Sequence, residues 1–184
     1  MPKVKRIIKL SPRPTEETLT EAADRKVLAA LGEQHLSGNT ESPRSLVAFL
    51  SGYGHPNCYT FLKSVRRLRK KGMVKQHQGT MRLTEAGIQA LPSGLAPLTN
   101  NADVHKRLII VLQESIDTTN LHRFWGVLED GKAHDIDKIL ETAGWQENNS
   151  SIGGIVRKLT SLSLVTVCNG LVQLADITFP LGRP

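Results

Sequence analysis

Residues 65–83 read VRRLRKKGMVKQHQGTMRL and carry the clearest structural pattern in the chain. Val65 and Leu68 are spaced as on one side of a helix. Gly72 stands where such a helix can end, because glycine tolerates left-handed backbone. Gln78-Gly79 is typical of a tight turn between two antiparallel strands. The segment therefore predicts a helix followed by a β-hairpin, with strands over 73–77 and 80–83.

The residues on either side of this segment extend the pattern into a small domain. A helical pattern starts near Thr20, and Gly32 is expected to end it. Ser42-Pro43 predicts the start of a second helix, with serine as the N-cap and proline at the first helical position. The third helix is expected over 57–71, and a short closing helix over 84–91. The predicted order is helix, helix, helix and hairpin.

The same order recurs in the second half of the chain. A shift of 91 residues, without gaps, places Val156 and Leu159 on the positions of Val65 and Leu68. It also places Gly170 on the position of the hairpin glycine Gly79. Internal self-similarity of this kind indicates a duplicated structural unit.

These patterns predict a mainly helical α+β protein with small β-hairpins. We expect a basic N-terminal arm over 1–18 and a first domain over 19–92. A linker rich in proline, glycine and asparagine is expected over 93–103. A connecting helix over 104–117 and a second domain over 118–184 complete the organisation. The apolar stripe of the connecting helix could pack on its own domain or pair two chains.

Both halves resemble winged-helix domains, and the residues over 65–87 carry the resemblance best. They are similar to the recognition helix and wing of bacterial-type winged-helix regulators. The resemblance implies that the third helix enters the major groove of DNA and that the wing touches the backbone or minor groove. It is specific for the fold and not for one family, because winged helices also serve replication initiators, polymerase subunits and protein adaptors.

Charge is distributed unevenly along the 184 residues. Residues 1–100 contain 16 Lys and Arg against 7 Asp and Glu, and residues 101–184 contain 8 against 10, so net charges of +9 and −2 give the total of +7. A basic half is typical of nucleic-acid binding or of contact with an anionic membrane, although it can also serve solubility alone. No acidic residue lies between Glu41 and Glu85, so pairing within the third helix cannot compensate its charge.

Composition also excludes several classes of protein. No apolar run is longer than the five residues of 108–112, which is too short for a transmembrane helix. The N-terminus lacks the apolar segment of a signal peptide. Two cysteines, 110 residues apart, indicate a reducing compartment rather than a disulfide framework. We therefore expect an intracellular protein located with DNA, in a nucleus or a nucleoid.

The helical wheel divides the third helix into a buried and an outward side. The buried side is expected to contain Cys58, Phe61, Leu62, Val65 and Leu68. The candidates for reading base edges are Tyr59, Thr60, Lys63, Ser64 and Arg67. The candidates for phosphate contact are Arg66, Arg69, Lys70, Lys71, Lys75, His77, Gln78, Thr80 and Arg82, joined by Lys3, Lys5 and Arg6 of the arm.

The second copy keeps the apolar scaffold and loses most of the charge. The outward helix positions become Ser150, Ser151, Gly154, Lys158 and Ser161, and three hairpin positions become Thr166, Cys168 and Gln173. We expect this half to bind a protein partner, to self-associate, or to make an auxiliary DNA contact. The auxiliary candidates are Ser150, Ser151, Arg157 and Lys158.

The predicted function is double-stranded DNA binding through the first domain. The chain contains no phosphate loop, His-Glu-x-x-His, nucleophile elbow or dinucleotide fingerprint, so we expect no enzyme activity, no cofactor and no metal site. Two alternatives are a protein-interaction adaptor built from winged helices and a binder of structured RNA. If about six side chains neutralise phosphates, log K should fall with log salt at a slope of about −5.

Overall fold

The computed structural model describes residues 16–96, 100–145 and 150–184, so most of the predicted arm lies outside the described residues. Within these ranges the fold is a mixed α+β arrangement of eight α-helices and two three-stranded antiparallel sheets. The predicted α+β class is confirmed at this level.

The first half contains four helices and one sheet. Their bounds are α1 (Glu16–Leu36), β1 (Ser42–Pro43), α2 (Arg44–Leu50), α3 (Tyr59–Lys70), β2 (Val74–His77), β3 (Thr80–Leu83) and α4 (Glu85–Gln89). The strand order is β1-β3-β2. Gln78 and Gly79 form the predicted turn between β2 and β3, with φ of 42° and 83°. Glycine and a small set of other residues accept positive φ, which a two-residue hairpin turn of this type requires.

The second half repeats the third helix and hairpin at the predicted spacing. Its bounds are α5 (Asn101–Leu112), α6 (Thr118–Leu128), β4 (His134–Asp135), α7 (Ile136–Thr142), α8 (Ser150–Ser161), β5 (Val165–Cys168), β6 (Leu171–Leu174) and a 3₁₀ helix (Asp176–Thr178). The helix α8 and both hairpin strands each lie 91 residues after their counterparts α3, β2 and β3. The strand order β4-β6-β5 also matches that of the first half.

The first helix is longer than the sequence predicts. It begins at Glu16 rather than near Thr20, and it continues through Gly32 to Leu36. A Cβ at position 32 would lie 2.7 Å from a methyl carbon of Leu91 and 2.8 Å from one of Leu95. Gly32 therefore allows a close approach of these side chains to the helix, and the prediction that it ends the helix is wrong.

Ser42 and Pro43 form a strand instead of a helix cap. Ser42 pairs with Met81 and Pro43 with Thr80, so their extended backbone completes the first sheet. Proline suits this edge position because it has no N–H to donate to a further strand. The helix α2 begins one residue later, at Arg44, without a side-chain cap.

The connecting helix starts within the predicted linker. The helix α5 begins at Asn101 because the side chain of Asn100 accepts a hydrogen bond from the backbone N–H of Asp103 at 2.8 Å. It ends at Leu112, before the predicted end at 117. Its stripe of Val104, Leu108, Ile109 and Leu112 is buried within the same chain, while Ile110 is half exposed. The stripe therefore packs inside the fold of the chain, in the core that surrounds Trp125.

Two hydrophobic cores lie in the described residues, and the second core extends into the first half. The first core joins α1, α2, α3 and the β2–β3 hairpin, with Phe61 fully buried in it. The second core surrounds Trp125 and includes Leu46 and Phe49 of α2.

Further contacts cross the predicted domain boundary. The Lys158 ammonium lies 5.1 Å from the centre of the Phe49 ring. Arg107 makes two hydrogen bonds to Glu33, at 3.0 and 3.2 Å. Asn39 donates to the Ile177 carbonyl at 3.1 Å. Cutting the chain near residue 98 would therefore uncover apolar side chains, so binding experiments should use the full chain.

A buried histidine makes the stability of the second core depend on pH. His105 packs edge-on against Trp125 and Phe179, with ring centres 5.5 and 5.0 Å away, and its Nε2 lies 3.0 Å from the Thr178 carbonyl. Burial lowers the pKa of His105 below its ordinary value, although the Thr178 carbonyl and the charge of Glu129 oppose the shift. The folded chain thus binds this proton less readily than the unfolded chain.

We expect the free energy of unfolding to decrease as the pH falls through the ordinary histidine pKa of about 6.5. Above that pH both states are neutral at position 105 and the contribution is complete. Urea unfolding at about pH 7.5 and about pH 5.5 measures the decrease. His105→Gln keeps a donor for the Thr178 carbonyl and removes the titration, so its stability should vary less. An equal decrease in the variant would contradict this assignment.

Candidate nucleic-acid interface

The helix α3 presents its basic residues because its apolar side packs against α1 and the hairpin. Phe61, Val65 and Leu68 are buried as predicted. The helix ends at Lys70, and Gly72 adopts the left-handed backbone with φ of 68° that turns the chain into β2. Because the apolar side of α3 is packed inside the domain, the opposite, basic side of the helix faces solvent.

Four basic side chains of α3 are exposed. They are Lys63, Arg66, Arg69 and Lys70. No acidic atom within the described residues lies within 4.0 Å of any of them. No described side chain therefore compensates their charges, which are available to an external anion.

Arg67 does not belong to this free face. Its guanidinium donates two hydrogen bonds to Oδ1 of Asp24, from Nη2 at 2.7 Å and from Nε at 3.1 Å. Asp24 lies on α1 and is only 5% exposed. Lys71 is exposed, yet its ammonium lies 3.6 Å from the same carboxylate. A residue 43 positions earlier therefore holds the Arg67 side chain, and its role in reading bases stays a prediction that this ion pair disfavours.

Ser64 is also occupied inside the fold. It is fully buried, and its hydroxyl accepts a hydrogen bond from Nη2 of Arg67 at 3.0 Å. It cannot reach a base, so its prediction as a reading residue is wrong. Leu62 was expected on the buried side, but 39% of it is exposed. Cys58 is half-buried, because it lies just before the first turn of α3.

The N-terminal turn of α3 carries the remaining base-reading candidates. Tyr59, Thr60 and Lys63 are exposed, and Tyr59, at 69%, is the most exposed of the large hydrophobic residues that the structure describes. The Lys63 ammonium lies 4.6 Å from the centre of the Tyr59 ring. This cation–π contact holds a flat ring and a positive charge together on the outward face.

The hairpin and α3 enclose a polar groove of about 370 Å³. It is lined by Glu41, Arg69, Val74, Lys75, Gln76, His77, Thr80 and Arg82. The groove therefore unites one phosphate candidate of α3 with four of the hairpin. Gln78 is exposed at the turn, outside this lining. The Thr80 hydroxyl donates to the His77 carbonyl at 2.8 Å and so stiffens the end of the hairpin.

Glu41 is the charged lining residue of the groove that the sequence did not predict. Its carboxylate lies 3.5 Å from the Arg82 guanidinium and accepts a hydrogen bond from the Thr80 hydroxyl at 3.5 Å. The pairing of Ser42 with Met81 brings it there. A prediction of strand β1 would have revealed it.

Removing the Glu41 charge should strengthen anion binding at the groove. About half of each side chain in the Glu41–Arg82 pair is exposed, so the pair itself is weak. The main effect of Glu41 on a phosphate is repulsion. We expect Glu41→Gln to raise the affinity for duplex DNA about two- to fivefold in low salt. Fluorescence anisotropy measures this change. Glu85→Gln, an exposed carboxylate outside the groove lining, serves as the charge-matched control.

The outward face of α8 differs from that of α3 in charge and in access. Arg157 and Ser151 are exposed, whereas Lys158 is half-buried against Phe49. The role of Lys158 as an auxiliary DNA contact therefore stays a prediction, and its contact with Phe49 disfavours that role. The α5–α6 connection, residues 115–117, lines a groove of about 310 Å³ together with Ser151 and Lys158.

Four of the predicted contact residues have no described side chain. Lys3, Lys5 and Arg6 lie outside the described residues, and so does the side chain of Ser150. In the described ranges, no cluster of three or more His, Cys, Asp or Glu side chains could bind a metal ion. Over the same ranges, no helix combines the length and the apolar character needed to span a membrane.

Comparisons with known proteins identify no relative. No protein-family model matches the chain, and neither the curated proteins nor the solved structures gave a significant match.

Proposed function

We propose that the protein is a tandem winged-helix protein that binds double-stranded DNA through α3 and the β2–β3 hairpin. The observation that carries the proposal is the set of uncompensated basic side chains on these two elements. Lys63, Arg66, Arg69 and Lys70 are exposed on the helix, and Lys75 is exposed on the hairpin. The described residues place no acidic group within 4.0 Å of these five.

The order of elements supports the winged-helix part of the proposal. Each half contains a helix, a short strand, two helices and a hairpin, with the short strand beside the second hairpin strand. In DNA-binding proteins with this order, the last helix enters the major groove. The first hairpin would then lie beside the DNA backbone, with Lys75 and Arg82 near phosphates.

The role of each exposed α3 residue follows from its position along the helix. Thr60 and Lys63 lie in the first half of α3, where side chains of a recognition helix reach base edges. Arg66, Arg69 and Lys70 lie further along, where phosphate contact is expected. Phosphate contacts fix the orientation of the protein, and base contacts supply specificity.

Two other functions account for parts of the surface. An adaptor would use exposed Tyr59 and Leu62 as anchors in a protein interface, since aromatic residues are frequent at such sites. Structured RNA would use the same phosphate contacts but offers α3 a deep and narrow major groove that it cannot enter. The density of basic charge favours a polyanion over a protein partner.

A competition experiment distinguishes the three functions. The full chain is bound to a labelled random DNA duplex and competed with unlabelled DNA duplex, single-stranded DNA and an RNA hairpin of equal charge. We expect duplex DNA to compete best. Equal competition by RNA would favour the structured-RNA function. No binding to any nucleic acid would favour the adaptor.

A further inference from the structure

The strand β5 is an unpaired edge of the second sheet. In the order β4-β6-β5 its neighbour on one side is β6, and no strand of the described chain lies on the other side. The carbonyl of Leu164, just before β5, accepts a hydrogen bond from the backbone N–H of Ala175, just after β6. The backbone N–H and C=O groups of the even-numbered residues therefore point toward β6. Because these backbone groups point to opposite sides of a strand at successive residues, the N–H and C=O of Val167 point away from β6, toward the open side of β5.

The exposed side chains of this edge are apolar or uncharged. Thr166, Val167 and Cys168 are exposed, with Val167 at 50%, and Leu171 on the paired strand is 42% exposed. No charged residue lies between Lys158 and Asp176. Natural sheets protect such edges with charge, proline or a covering element, because open edges pair with other strands.

The first hairpin shows what protection looks like in the same fold. At the positions of Thr166, Val167 and Cys168 it carries Lys75, Gln76 and His77. At the positions of Leu171 and Gln173 it carries Thr80 and Arg82. Every one of these five positions is more polar or charged in the first copy than in the second. The second hairpin therefore has a surface suited to protein contact and not to a polyanion.

We propose that β5 pairs antiparallel with β5 of a second copy of this chain, about a two-fold axis at Val167. The two Val167 residues would exchange N–H and C=O hydrogen bonds, and the two three-stranded sheets would become one sheet of six strands. A second copy is the favoured occupant because an antiparallel edge is complementary to itself. A two-fold axis is also the commonest symmetry of protein dimers. The absence of charge leaves nothing to attract a charged partner. Because the interface is small, the dimer should be weak.

A charge at the centre of the edge should abolish the dimer. We expect sedimentation equilibrium of the full chain to show a concentration-dependent monomer–dimer equilibrium. Val167→Lys should be monomeric over the same range. The matched control is Gln76→Lys, which places the same charge at the equivalent position of the first hairpin and should dimerise as the wild type does. A wild-type chain that stays monomeric, or a Val167→Lys chain that still dimerises, would overturn the proposal.

Two further measurements test the two-fold axis at Val167, and neither depends on whether Val167→Lys folds. In the wild type, the Val167 amide should exchange with solvent more slowly as protein concentration rises, while the Gln76 amide should not change. The proposed register places Cys168 opposite Thr166 of the second copy, in a pair whose spacing suits a disulfide. Thr166→Cys should therefore form a covalent dimer on mild oxidation, and Lys75→Cys/His77→Cys should not. Unchanged Val167 exchange, or equal crosslinking in both variants, would contradict this interface.

Discussion

Replacing Lys63, Arg66 and Lys70 together by alanine should weaken duplex DNA binding about a hundredfold at about 0.1 M salt. These side chains are exposed on α3 and have no acidic partner among the described residues, so their loss removes contacts without uncovering a buried charge. Arg66 and Lys70 are the expected phosphate contacts among the three, and each such contact contributes about 0.9 to the slope of log K against log salt, so the slope should become shallower by about 2. Fluorescence anisotropy at several salt concentrations measures both changes.

The control for this variant removes the same charge from the second half. Arg123, Lys132 and Lys138 are exposed and lie outside the proposed interface. Their triple alanine variant should retain affinity within about threefold, because long-range attraction is screened at that salt concentration. Equal losses in the two variants would show that binding follows net charge and not the α3 face. Circular dichroism checks that both variants remain folded.

Arg67→Ala should lower the free energy of unfolding by about 2–3 kcal/mol. The substitution leaves the buried Asp24 carboxylate with only the Lys71 ammonium, 3.6 Å away. It also removes a donor from Ser64. Lys63→Ala should change stability by less than about 0.5 kcal/mol, because Lys63 is exposed. Urea unfolding of the two variants measures the contrast.

A double variant separates the buried charge from the loss of packing. Asp24→Asn replaces the carboxylate by a neutral amide of similar shape, so Arg67→Ala/Asp24→Asn should be more stable than Arg67→Ala alone. Additive losses would contradict the assignment of Arg67 as a structural residue. An Arg67→Ala chain with unchanged stability and lost DNA affinity would restore its interpretation as a base-reading residue.

The sequence predicted the helices and turns whose formation depends on residues close together in the chain. The bounds of α8 and its hairpin follow from a shift of 91 residues because helix periodicity, glycine and the turn pair are all short-range signals. The turn at Gln78-Gly79 needs only two residues that accept positive φ, and this requirement is visible in the two residues themselves. These signals do not depend on the rest of the chain.

Contacts distant in sequence account for the errors. Gly32 has the same local signal whether it ends a helix or accommodates Leu91, and only the packing separates the two. Asp24 lies 43 positions before Arg67, on another helix, so no local charge pattern indicates the pair. The helix periodicity places Lys158 on the outward face, and it cannot reveal the contact with Phe49, which lies in the other half of the chain.

A salt titration of the full chain shows whether the basic α3 face binds duplex DNA. Anisotropy of a labelled random duplex is measured over a range from about 0.05 to about 0.3 M salt. We expect tight binding at low salt and a slope of log K against log salt of about −5, which corresponds to about six neutralised phosphates. Weak binding with a slope near zero would contradict it.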